Sequence, residues 1–345
     1  MSLLGIDIGG SGSRVAVLPL GGGPRLELAG ERAGVTAEGS SVPATALALV
    51  RAARAAWPAE TARIEGVGLG ATGLGTLVAD PAALATELGA ELASDRGSGA
   101  DASRPTFAGT DASPSPQPSG SRPRVAVAID AVTAHLGALA GRPGAIVALG
   151  TGAIAFGTDG ADIWRRVDGW GHLLGDRGGG AWIGLRGLET AMRAHDGVDT
   201  AGTALLAAAV ARFGEPMTWP AQLYTRHDRA GVLASFAPDV TAVAADGDAA
   251  ATAILTDAGT EAARSGIAAL APGLPPRIAA TGGLLAAGGP LVAAFRDTIV
   301  GAWPDVELVE PAGDPLDGAL RLAELAAAGG IRTHAPYVWT AEAVA

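Results

Sequence analysis

Three aspartates carry most of the chemistry this chain could perform, two of them near glycine turns and one at the end of an apolar run. Asp7 precedes Gly9-Gly10-Ser11-Gly12-Ser13, and Asp130 ends the apolar run 125–129. Asp176 lies in Gly175-Asp176-Arg177-Gly178-Gly179-Gly180, shortly after Gly169-Trp170-Gly171-His172. Glycine turns let backbone N–H groups approach an anion closely, and Gly150-Thr151-Gly152 adds a hydroxyl donor. A carboxylate at a strand tip can accept a proton as a general base. A carboxylate on a glycine-rich loop, as at Asp176, suits the binding of hydroxyl groups. Plainer readings exist for each: Asp7 as a turn-former, Asp130 and Asp176 as helix caps, Trp170 as a core aromatic.

Composition removes whole classes of chemistry. The chain has no cysteine, which excludes disulfides, thiol catalysis, iron–sulfur clusters and cysteine-ligated zinc. It also has no lysine, all 24 basic residues being arginine, so a P-loop lysine and a Schiff-base lysine are excluded. The formal net charge of −11 speaks against a nucleic-acid partner. At 345 residues the chain is expected to form two domains. The start MSLLGIDIGG has no cationic lead, and glycines and a proline interrupt the uncharged stretch 278–295, so no membrane partner and a cytoplasmic location are expected.

The elements that hold these residues follow from apolar runs and glycine punctuation. Residues 3–8 and 14–18 read as strands around the first glycine turn, so strand–turn–strand replaces the strand–turn–helix that a dinucleotide fingerprint needs. Asp7 at the base of this hairpin is placed to hold Mg²⁺, directly or through water. Residues 146–149 and 154–156 form a second hairpin around Gly150-Thr151-Gly152. Helices are expected over 43–56, 81–93 (with Asp80 as N-cap), 131–140 and 181–192. A strand over 64–69 ends at Gly70-Ala71-Thr72-Gly73, and one over 278–281 ends at Gly282-Gly283. Residues 188–270 read as mostly helical, 290–302 and 316–328 as helices, 306–309 as a strand. The tail after Gly329 shows no clear element. Serine, proline and glycine dominate 94–124, which is expected to be a disordered insertion. His135 is expected to pack or face solvent, and His172, His195, His227 and His334 show no metal-ligand spacing.

Two glycine hairpins could clamp the phosphates of a nucleotide from opposite sides without lysine. Phosphoryl transfer needs mainly positioning and charge neutralisation, which backbone amides, Mg²⁺ and one proton acceptor can supply. At this point the motifs GIDIGGSGSR, AIDA, ALGTGA, GWGHLLGDRGGGAWIG and ATGGL, in that order, resemble those of the BadF/BadG-type ATPase and N-acetylglucosamine kinase family, within the actin-like superfamily. The resemblance runs over roughly residues 3–325, apart from the insertion.

The resemblance implies an α/β fold of two actin-like (ribonuclease H-like) domains, each a mixed five-stranded sheet with flanking helices, around an interdomain cleft. Residues 1–141 would be a phosphate and sugar domain with 315–345 packing back on it, and 142–314 a nucleotide-binding domain. Gly9, Gly10, Ser11, Gly12 and Ser13 match the first phosphate segment, Thr151 and Gly152 the second, and Gly282 and Gly283 the adenosine segment. Asp130 matches the catalytic base, while Thr72, Gly169, Trp170, Asp176 and Gly180 match positions lining the sugar site. The implied activity is an ATP- and Mg²⁺-dependent amino-sugar kinase acting on N-acetylglucosamine at its 6-hydroxyl, with glucosamine or N-acetylmuramic acid as alternatives. The implied partners are a small sugar and ATP, with a homodimer as the assembly. A non-catalytic sugar- or nucleotide-binding protein is the reading from another class.

Some relatives of this superfamily are not expected here. Activators of radical dehydratases and zinc-bearing glucokinases need cysteines, and a repressor would need a DNA-binding module ahead of Asp7. This chain also departs from the family pattern, with Arg177 where glutamate is usual, Ala153 where serine is usual, and no evident Thr-Asn pair in residues 34–39. Arg177 either suits a carboxylated substrate or points to solvent, and solvent is the expectation.

Overall fold

The computed structural model describes residues 1–10, 12–36, 39–94, 122–226 and 228–341. Contacts divide the chain into two units. The first comprises Met1–Ala33, Gly39–Asp130 and Ala319–Ala345, and the second Gly34–Glu38 and Ala131–Gly318. The divisions at 130/131 and 318/319 fall inside helices, eleven and four residues from the 141/142 and 314/315 limits expected from the sequence. Of the anticipated 94–124 insertion, residues 95–121 lie outside the described residues, as do Ser11, Ala37, Glu38 and His227.

The first unit is built on β1 (Ser2–Ile8), β2 (Ser13–Pro19) and β3 (Leu26–Gly30). Two short strands follow in the chain, β4 (Val35–Thr36, which belongs to the second unit) and β5 (Gly39–Ser40). Then come α1 (Val42–Ala56), α2 (Pro58–Thr61) and β6 (Ile64–Ala71). The N-terminal half ends with α3 (Leu74–Leu77), α4 (Pro81–Ala93) and β7 (Arg124–Ile129). As expected, Asp80 caps α4, its carboxylate accepting the Ala83 N–H at 2.9 Å. β1 pairs antiparallel with β2 and parallel with β6, which pairs parallel with β7.

The second unit opens with α5 (Asp130–Ala138, of which Asp130 belongs to the first unit) and β8 (Gly144–Leu149). β9 (Ala153–Thr158), β10 (Trp164–Asp168) and α6 (Gly180–His195) follow. The stretch read as mostly helical holds α7 (Thr203–Phe213), α8 (Trp219–Tyr224), α9 (Arg229–Ala234), α10 (Ala237–Ala245) and α11 (Ala249–Ala269). β11 (Arg277–Thr281), α12 (Gly289–Ala302) and β12 (Glu307–Val309) complete its sheet and cover. α13 (Pro315–Ala328) returns to the first unit, and β13 (Val338–Thr340) ends the ordered elements.

One strand order occurs twice, β3-β2-β1-β6-β7 in one unit and β10-β9-β8-β11-β12 in the other. In each, three antiparallel strands are followed by two parallel ones. The first sheet has six strands where five were expected, because the tail that shows no clear pattern in sequence adds β13 antiparallel to β7. Only three residues pair there, too few for a periodic signal.

Alanine and glycine allow helices to lie close on these sheets. A side chain at Gly66 or Gly68 of β6 would strike the carbonyls of Ala323 and Ala319 on α13. In the second unit, Gly157 of β9 meets Ala269 of α11, and Gly259 of α11 meets Leu291 of α12, in the same way. Backbone approach takes the place of large interlocking side chains, which fits an aromatic content of 4%. No described helix is long and apolar enough to cross a membrane.

Candidate functional site

The expected site residues fall into one cluster in each unit. In the first, register does the grouping. Ile8 of β1 stands opposite Ala71 of β6, and Ala71 opposite Ile129 of β7. Gly9, Thr72 and Asp130 therefore each lie one residue beyond a single row, at the C-terminal ends of three adjacent parallel strands. Strand spacing near 4.8 Å sets Asp130 about 10 Å from Gly9 across the sheet edge. The Thr72 N–H donates to Ile8 O at 2.9 Å, tying the central strand tip to the glycine turn.

That turn is closed by the Gly9 N–H donating to Gly12 O at 2.9 Å. Ser13 donates its hydroxyl to Glu31 O at 2.5 Å and so serves the turn's structure. Side chains at Gly10 or Gly12 would meet nothing within 4 Å, so the turn borders open space. Asp7 is partly buried, and Arg14, directly opposite on β2, donates to its Oδ2 at 3.1 Å. No group of three or more potential metal ligands occurs among the described residues. The open turn with one carboxylate at its base suits phosphate oxygens and an ion held largely by them. With Arg14 on one oxygen of Asp7, contact through water is the better fit.

In the second unit, the turn 150–152 rests on the start of α6. Gly180 and Ala181 donate their N–H groups to Gly150 O and Thr151 O, both at 2.8 Å, and Gly150 N donates to Gly152 O at 2.9 Å. The turn's carbonyls are thereby held against the helix. β11 lies beside β8 with Thr281 opposite Ala148, which brings Gly282 next to Leu149. Gly282 has φ 108°, and a side chain there would strike Leu149 O, while Gly283 faces open space. The second phosphate segment and the adenosine segment expected from the sequence thus adjoin.

The loop 169–179 leaves β10 and also reaches this turn. Asp176, at φ 56°, accepts the Gly171 N–H on Oδ1 at 3.0 Å. Its other oxygen lies where a side chain of Gly152 would stand. Asp176 is thus no helix cap, since α6 begins at Gly180 after Gly179. Trp170 is no core residue either, being 61% exposed, and the Arg166 guanidinium lies 4.4 Å from its ring centroid. Gly169, at φ 72°, accepts a hydrogen bond from Arg166 on its carbonyl. Asp168 accepts from the Asp176 and Arg177 N–H groups at 2.7 and 2.9 Å. Arg166 and Asp168 escape the sequence reading, because the strand that carries them has no apolar run to announce it.

The remaining expectations resolve simply. The Arg177 side chain is 56% exposed and lies 3.9 Å from Glu261 of α11, in line with a solvent-facing arginine. His135 is buried, with Nε2 3.2 Å from Gly144 O and its ring edge-on to Phe156. Burial pushes its pKa down to about 4, against a smaller raising effect of the Gly144 hydrogen bond. Burial, and then the Arg229 charge, also lower the pKa of His172.

Three comparisons bear on what such a protein does. The family model described as the BadF/BadG/BcrA/BcrD ATPase family matches residues 4–323. A crystal structure of a candidate N-acetylglucosamine kinase from Chromobacterium violaceum is similar over 93% of this chain and 98% of that one, at 29% identity and TM-score 0.63. A like-named protein from Porphyromonas gingivalis shares the fold over the same proportions, at 16% identity and TM-score 0.63. The N-acetylmuramic acid/N-acetylglucosamine kinase of Clostridium acetobutylicum is 37% identical over 73 residues, 21% of this chain and 24% of that protein. The matched segment thus spans about a quarter of that curated relative's length.

Proposed function

From the chain's membership of the BadF/BadG/BcrA/BcrD ATPase family, we propose that it is an ATP-dependent sugar kinase that phosphorylates N-acetylglucosamine, or a close relative, at the 6-hydroxyl. The observation that carries this reading is the row formed by Gly9, Thr72 and Asp130 at three adjacent strand ends. It sets a phosphate-type turn and a carboxylate on one sheet edge, where α/β proteins bind ligands. In this reading Asp130 accepts the proton of the attacking primary hydroxyl, and Asp176 and Trp170 orient the sugar ring. Backbone N–H groups of the two turns neutralise the phosphates in place of the missing lysine. Asp7 would hold Mg²⁺ through water, and the ion would offset charge on the phosphate oxygens.

N-acetylmuramic acid is a second substrate to try, because the Clostridium acetobutylicum relative is named for both sugars. The reading is that of a cytoplasmic enzyme. Asp130→Asn tests it directly. Sugar binding, measured by calorimetry without nucleotide, is expected to persist while kcat falls by about 10²–10⁴, the usual scale of general-base loss. Turnover near that of the natural protein would refute the assignment.

A further inference from the structure

We propose that Arg166 and Asp168 of β10 are positioning residues that set the loop 169–177 for sugar binding, an inference that rests on the sugar-kinase reading. Alternate residues of a strand share a face, so both side chains can reach back over the loop that leaves the strand's end. Neither would touch substrate; they act through Trp170 and Asp176.

Asp168 closes the base of the loop. It has φ 60°, a left-handed backbone that is unfavourable for a non-glycine residue. Its Oδ1 accepts the Asp176 N–H and its Oδ2 the Arg177 N–H. Charge-assisted bonds to successive amides fix orientation as well as distance. Gly175 fits the same device, because Oδ1 of Asp168 occupies the space that a side chain there would need. With its own amide held in this way, Asp176 turns its carboxylate to the Gly171 N–H and onto the Gly152 backbone.

Arg166 serves the other limb. Its guanidinium donates to Gly169 O and stacks on the indole of Trp170. A tryptophan this exposed has little packing to fix its rotamer, and a stacked cation supplies that restraint. The pair therefore holds both expected sugar contacts from one edge strand.

Asp168→Gly separates side chain from backbone, because glycine adopts the positive φ freely and only the carboxylate is lost. Amide hydrogen exchange on the full chain reads the loop without any substrate. The Asp176 and Arg177 N–H groups are expected to exchange about tenfold faster or more, and unchanged exchange overturns the clamp whatever the protein's reaction. Kinetics then reads its purpose. The sugar KM is expected to rise about tenfold, equal to roughly 1.4 kcal/mol, with kcat and the ATP KM nearly unchanged. Faster exchange with an unaltered sugar KM would overturn the positioning role. Asp168→Asn keeps one acceptor oxygen and tolerates the left-handed backbone, so an intermediate KM is expected and the test survives if the glycine variant fails to fold. Arg166→Gln is expected to raise the sugar KM by a smaller factor; no change would remove Arg166 from the pair. If the natural chain phosphorylates no sugar, the kinase reading falls, and the exchange rates alone decide the clamp.

Discussion

The turn at residues 9–13 and the turn at 150–152 each close an antiparallel hairpin on the first strand of a sheet, and the two sheets share one strand order. Their glycines nevertheless answer different demands. Gly10 and Gly12 border open space, so no described neighbour requires them to be glycine. Gly152 is covered by the Asp176 carboxylate and by Gly179, and the carbonyls of its turn are bonded to the start of α6. A free turn keeps room for a ligand; a docked turn has given much of its surface to the protein. The same local motif thus stands open in one unit and is packed against its own loop and helix in the other.

Gly152→Ala should break the second turn most severely. A methyl group there must displace Asp176 or the turn itself, and overpacking of this kind costs about 1–3 kcal/mol. We expect a lowered Tm in a thermal melt, together with a sugar KM raised about tenfold. An unchanged Tm would mean that the two turns do not differ in the way described.

The second hairpin should also respond to acid. The carbonyl of Gly144, the first residue of β8, faces the buried His135, whereas β1 begins with Ser2 N–H bonded to Arg63 O. His135 stays neutral in the fold down to about pH 4, while the unfolded chain takes up that proton below 6.5. The contribution is therefore full above pH 6.5 and lost as pH falls toward 4. Its size is roughly 3 kcal/mol at most. Urea unfolding between pH 4 and 7 should show this slope, and His135→Gln should flatten it.

Gly10→Ala is the mildest change to the fold. Its side chain meets open space and the residue lies outside the left-handed region, so stability should stay within about 0.5 kcal/mol. The ATP KM should rise all the same, because in the proposed reading the space receives phosphate. A fall in Tm comparable to that of Gly152→Ala would erase the contrast between the turns.

Much of this was legible in the sequence because local apolar runs announced it. The strands around both turns, and those leading to Thr72, Asp130 and Gly282, each carry at least three apolar residues close to a polar or glycine break. β10 was not legible: Trp-Arg-Arg-Val-Asp reads as surface, and only its pairing with β9 makes it a strand. β13 was hidden for a related reason, since its three residues are ordered by β7. Site residues flagged by glycine context could be named in advance. The holding residues Arg166 and Asp168 could not, because most of their bonds reach backbone atoms on the far side of a loop.

The central claim is that this chain moves a phosphoryl group from ATP to a sugar hydroxyl. The most direct measurement compares ADP released with sugar phosphate formed, resolved by phosphorus NMR, for N-acetylglucosamine, glucosamine, N-acetylmuramic acid and glucose. We predict that ADP appears only with an accepted sugar, mole for mole with a 6-phosphate. ADP formed at the same rate without sugar, or no phosphorylated product from any of the four, would contradict it.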